Sequence, residues 1–236
     1  MTYTKHYESV GSDAGPVAPS VCGRSTLAAS NENHIPRATN VLDMSTPPGE
    51  YYTDERWQNW LDRIADEEID PEDEDSARLL LNLQDDTAIA VAKIITDFED
   101  DILEEEAALE ELADIREVVL SETDIADEEK RMLVDGVQTS LVCVFYAAEE
   151  YMVGGVADGS VGEYIQAASD AESEEDLDPA LGYCAQAGTR IIDGEELDRS
   201  VAEELEFGLV AEWVNGLDSL QTAMSDPEVV EEDDEN

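Results

Sequence analysis

Carboxylates are the one reactive group this chain holds in quantity: 61 Asp and Glu against 12 Lys and Arg in 236 residues, a formal net charge of −49. Clustered carboxylates can bind divalent metals, and buried ones can trade protons. The densest run, DFEDDILEEEAALEELADI from Asp97 to Ile115, has ten acids in nineteen residues and no base. Its apolar members Phe98, Ile102, Leu109 and Leu112 recur at helical spacing, so the acids read as the solvated side of a helix. A calcium loop needs spaced acids, a central Gly and a final Glu. The nearest approach, DEEIDPEDEDSA from Asp66, has Pro71 and Ala77 at those two places.

Chemistry that needs nitrogen or sulfur fares no better. Both histidines, His6 and His34, precede Met44. The helical part therefore has no Glu-x-x-His pair for a di-iron site and no Ser–His or Cys–His couple. The three cysteines form no CxxC pair, and Cys143, inside SLVCVFYAA, reads as a buried thiol rather than as half of a disulfide with Cys184. GGVADGSVG (154–162) lacks the Lys of a phosphate loop and follows a helix, so it reads as a helix connection. No catalytic residue, metal ligand or cofactor is assigned, and enzyme activity is not expected.

Two charges stand out by position. Arg116 is flanked at helical spacing by Leu112, Ala113, Val119 and Leu120, and Glu149 by Val142, Phe145, Met152 and Val153. Charges on apolar faces need partners. The two are expected to pair within the core; the alternative is an edge position with both tips in water. Tyr51, Tyr52, Trp57 and Trp60 gather near the domain start. They read as core packing of a terminal helix or, alternatively, as the hot spot of a protein–protein interface.

The elements that would position these residues are helical. Thr53 caps a helix with Trp57, Trp60, Leu61 and Ile64 on its apolar face. A long helix starts near Ser76, and its periodicity runs on through Ile115 and Val119 without Gly or Pro. A helix from about Asp127 stops at Gly154-Gly155, a short one opens with the capping-box spacing Ser160-x-x-Glu163, and another starts at Asp178-Pro179. The last spans about Glu195 to Met224. Strand signals are weak, so the fold class is all-α: a single bundle-like domain of about six helices over residues 50–225, followed by an acidic disordered tail at 226–236.

Residues 1–43 differ from the rest. They carry four acids and three bases, a net of −1, and lack sustained periodicity. Residues 1–49 read as a disordered tail or as sequence upstream of a true start at Met44; the second is favoured, because a tail made in the same cytoplasm should share its acidity. The Lys-poor, acid-rich profile points to a halophilic cytoplasmic protein, since near 1 M salt a Debye length of roughly 3 Å screens neighbouring carboxylates. Nothing in the chain clusters Lys and Arg for nucleic acid or an anionic membrane, and no apolar run approaches the roughly 20 residues of a membrane helix.

YYTDERWQNWLDRI and ARLLLNLQDDTAIAVAKIITDFEDD resemble an uncharacterised family of acidic, helical haloarchaeal proteins, a domain of unknown function, over about Tyr51 to Met224. The resemblance implies an all-helical fold and supplies no catalytic residues. The leading expectation is a protein–protein interaction or scaffold module, bound to another protein or to copies of itself. The alternatives are a carboxylate-based metal- or ligand-binding bundle, and an acidic nucleic-acid mimic that occupies a basic partner.

Overall fold

The computed structural model describes residues 51–67, 69, 74–198, 201, 205 and 207–225, all within the unit Met44–Asn236. The expected N-terminal tail, the start at Met44 and the C-terminal tail lie outside the described residues. Among the described residues seven α-helices follow one another: α1 (Asp54–Asp66), α2 (Glu74–Glu99), α3 (Glu105–Val119), α4 (Glu128–Gly154), α5 (Val161–Ser173), α6 (Leu177–Ile192) and α7 (Leu209–Ser225). No strand occurs among the described residues.

Helix α4 is the axis. It packs on α2, α3, α6 and α7, while α5 lies on α6 and α1 adjoins α3. Its buried residues, from Val134 through Leu141, Val144, Phe145 and Ala148 to Met152, point in several directions, as a helix surrounded by others requires. Small residues let the helices close up. A Cβ added at Gly216 of α7 would stand 2.2 Å from the Ser140 carbonyl oxygen of α4, and one at Gly188 of α6 would stand 2.3 Å from the Ala147 Cβ.

The helix starts follow their capping chemistry. Thr53 Oγ1 accepts from the Arg56 amide, Asp127 Oδ1 from the Glu129 and Lys130 amides, and Ser160 and Glu163 form the full capping box. Helix α6 opens at Leu177, slightly before the expected Asp178 cap; Pro179 then falls within the first turn, where its missing N–H is not needed.

Two expected helices change. The long second helix is two, α2 and α3, broken at Asp100–Glu104. Asp101 takes a left-handed φ of 57°, its amide donates to the Phe98 carbonyl, and the Ile102 amide donates to the Asp97 carbonyl. This is a Schellman stop with Asp where Gly usually stands. Glu175 (φ 63°) ends α5 in the same way. The last helix begins at Leu209, not near Glu195. After Gly194 (φ 95°) the chain leaves helix α6, and Glu195 Oε1 accepts from the Val161 amide at 2.9 Å, capping α5. Leu197 is buried, and its amide donates to Gln221 Oε1. Helix α7 is capped from α5: Glu172 Oε1 accepts from the Leu209 amide at 2.6 Å and the Val210 amide at 3.2 Å.

Two outcomes follow from these joints. A left-handed non-glycine residue is strained by about 1–2 kcal/mol, so Glu175→Gly is expected to stabilise the domain by about 0.5–1 kcal/mol in thermal melts, against the usual penalty for added Gly. The Glu195 carboxyl has a lowered pKa, chiefly through the Val161 amide and then through Arg190. A lowered folded-state pKa gives stability that is complete above the unfolded-state value and is lost as pH falls through the folded-state value. Glu195→Gln should therefore melt below wild type at neutral pH and converge with it in acid; a gap that widens on acidification contradicts this account.

Candidate binding groove

An open groove of about 420 Å³ lies between the first halves of α2 and α4 and the start of α7. Ala77, Leu80 and Leu81 of α2 form one wall, Met132, Leu133 and Val137 of α4 the other, and Glu212 and Asn215 of α7 close one side. Leu81 and Met132 remain 47% and 60% exposed, so apolar surface stays in water at the rim. Gly136 lines the same groove, and a Cβ added there would meet nothing within 4 Å. Steric need explains Gly188 and Gly216; it does not explain Gly136. Gly182 of α6 has similar room but does not line the groove.

Polar groups form the floor. Gln84 is buried; its Nε2 donates to Ser219 Oγ at 2.9 Å and to the Asn215 carbonyl at 3.2 Å, and its Oε1 accepts from Ser140 Oγ at 2.6 Å. Ser219 Oγ in turn donates to Asp85 Oδ1 at 2.6 Å. Both amide hydrogens and the amide oxygen of Gln84 are thus engaged, joining α2, α4 and α7 at one level. An adjoining depression, sharing Met132, is lined by Asp127, Glu128 and Glu129.

The residues singled out from the sequence lie elsewhere. Arg116 Nη1 donates to Glu149 Oε2 at 2.9 Å, tying α3 to α4. The side chains are 37% and 45% exposed, so the pair sits at the domain edge and not in the core. The flanking apolar residues pack inward, while both long side chains reach along the surface. Tyr51, Tyr52 and Trp57 are buried in this chain's own core, and Trp60 is half-buried, packed against it with the Arg63 guanidinium over its ring. Trp60 Nε1 donates to Asp86 Oδ2 at 2.8 Å, and Arg56 donates to both Asp86 oxygens, locking α1 on α2.

The titratable groups offer little chemistry. Burial and then the Asp97 and Glu99 carboxylates hold the Tyr51 and Tyr151 phenols well above their ordinary pKa, so they act as hydrogen-bond donors. Cys143 and Cys184 are free, buried and adjacent, and burial raises the Cys143 thiol. Among the described residues no group of three or more His, Cys, Asp or Glu could hold a metal ion. Sequence reasoning missed the groove; its one trace in the sequence was Gly136, a helix-interior Gly.

If the floor network fixes the three helices, Gln84→Leu should destabilise the domain by about 1–2 kcal/mol, because Ser140 and Ser219 each lose a buried partner while Ser140 keeps the Val137 carbonyl and Ser219 keeps Asp85. Equilibrium unfolding in denaturant measures this; a neutral result would mean that packing alone sets the junction.

No helix among the described residues is long and apolar enough to cross a membrane. No curated protein and no solved structure matches the chain significantly. Residues 50–233, which include all seven helices, match the family described as an uncharacterized protein conserved in archaea (DUF2150), and the chain belongs to that family.

Proposed function

We propose that the domain is a protein–protein interaction module of a salt-rich cytoplasm, and that the groove between α2, α4 and α7 is its contact face. The observation that carries this reading is the coincidence at one place of exposed Leu81 and Met132 with Gly136, whose missing side chain leaves the groove open. A helix-interior Gly costs about 1 kcal/mol relative to Ala, and at residue 136 it leaves the groove open to a side chain entering from a partner. Apolar side chains left in water at a concave site are the usual mark of a contact surface. The net charge of −49 supports the salt-rich setting, since screening relieves the self-repulsion of a compact state.

The test uses two substitutions that act on the groove and spare the core. Gly136→Leu fills it, and Leu81→Glu places a charge on its wall. Each is expected to cut self-association or partner capture from native extract at least tenfold, measured at high salt by sedimentation and quantitative pull-down. Melting temperatures should stay within a few degrees of wild type, because the helix gain at residue 136 offsets small packing losses. Wild-type association in both variants would remove the groove from consideration.

A further inference from the structure

We infer that the groove's occupant is an amphipathic helix of another protein, apolar on the face it inserts and rich in Lys or Arg on its flanks. The inference rests on the reading of the groove as a contact face and adds the chemistry of the partner. Shape comes first. From Ala77 to Gln84 the α2 wall is about 10 Å long at 1.5 Å per residue, two turns of a guest helix. Such a guest presents side chains at i, i+3 or i+4, and i+7. A small polar ligand fits less well: a ligand pocket needs convergent unengaged polar groups, and the amide of Gln84, the polar side chain on the floor, is already bonded on all sides.

Charge decides the flanks. Glu212 lines the groove, and Asp127, Glu128 and Glu129 line the depression that continues from Met132; no Lys or Arg lines either. Of the bases on these two walls, Lys130 and Arg131 are engaged, and Arg78 is exposed on α2 without lining the groove. Lys130 Nζ donates to the Ala65 and Glu67 carbonyls, and Arg131 faces Glu128 at 4.0 Å. A second copy of this chain cannot supply the complement. Its 12 bases are scattered, with no more than two on any of the seven helices, and Arg56, Arg63, Arg116 and Arg190 are held in ion pairs. The sequence of residues 1–50 holds three bases and shows no sustained apolar periodicity. At high salt the apolar walls supply most of the affinity, while charge acts at contact range and selects among partners.

The test titrates the full chain with labelled helical peptides of roughly 18 residues, with Leu at i, i+3, i+4 and i+7. One peptide carries Lys on its flanks and the other Glu. Fluorescence anisotropy is read at about 0.15 M and about 1 M KCl. The Lys peptide is expected to bind at both salts, and the Glu peptide at least tenfold more weakly at the lower salt, with the gap narrowing at the higher. Gly136→Leu should weaken the Lys peptide at least tenfold. Equal binding of the two peptides would overturn the partner chemistry and leave the groove standing. So would self-association of the chain that Gly136→Leu abolishes, since the occupant would then be a second copy. Failure of the Lys peptide to bind, or binding that Gly136→Leu leaves untouched, overturns the inference; the latter also counts against the groove itself.

Discussion

The whole structure answers one constraint: a compact core must form beneath 61 carboxylates with 12 cations to balance them. Surface pairing cannot neutralise such a shell, and exposed pairs contribute little even where they form. Four of the twelve cations sit instead at joints between elements. Arg56 ties α1 to Asp86 on α2, Lys130 of α4 takes the last carbonyls of α1, Arg116 ties α3 to α4, and Arg190 of α6 holds Glu195, which caps α5. In each case a positive group links two elements that would otherwise repel.

The same composition changes which residues do ordinary structural work. Helix starts need oxygen acceptors, and here acids are abundant, so the caps of α4, α5 and α7 draw on Asp127, Glu195 and Glu172. Near the positive end of a helix a carboxylate gains from the dipole as well as from the hydrogen bond. Helix ends show the opposite side of this habit. Asp101 and Glu175 occupy left-handed positions that Gly would fill without strain, and their Schellman hydrogen bonds hold them there.

That habit also sets what could be read from the sequence. The all-helical class and the buried stripes were legible, because Trp57, Leu61, Ile64, Leu141, Val144, Phe145 and Ile165 recur at helical spacing whatever the surface carries. The break between α2 and α3 was not, since its stop signal is an Asp within an acidic run and not a Gly. The start of α7 was hidden because its cap, Glu172, lies on another helix. The pairing of Arg116 with Glu149 was visible from their apolar flanks, but its depth was not: flank patterns do not tell a core position from an edge where long side chains reach outward. The groove was the least legible feature. It exists only where three helices meet, and Gly136 looks like any helical Gly until the space around it is known.

The polar floor beneath the groove explains why that space stays open. At the α2–α4–α7 junction Gly216 brings the α7 backbone hard against Ser140, and apolar side chains alone would let neighbouring helices slide to close a gap. Gln84 prevents this. Its amide meets Ser140 on α4, and Ser219 and the Asn215 carbonyl on α7, so a shift of any one helix by a turn would strand several buried polar groups at once. Leaving even one such group unpaired costs about 1–3 kcal/mol. The network therefore admits one register of three helices, and in that register Leu81, Gly136 and Met132 border an opening instead of packing on one another. The buried polar residues and the exposed apolar ones are two sides of the same arrangement: the first hold the walls in place, and the second are what those walls present.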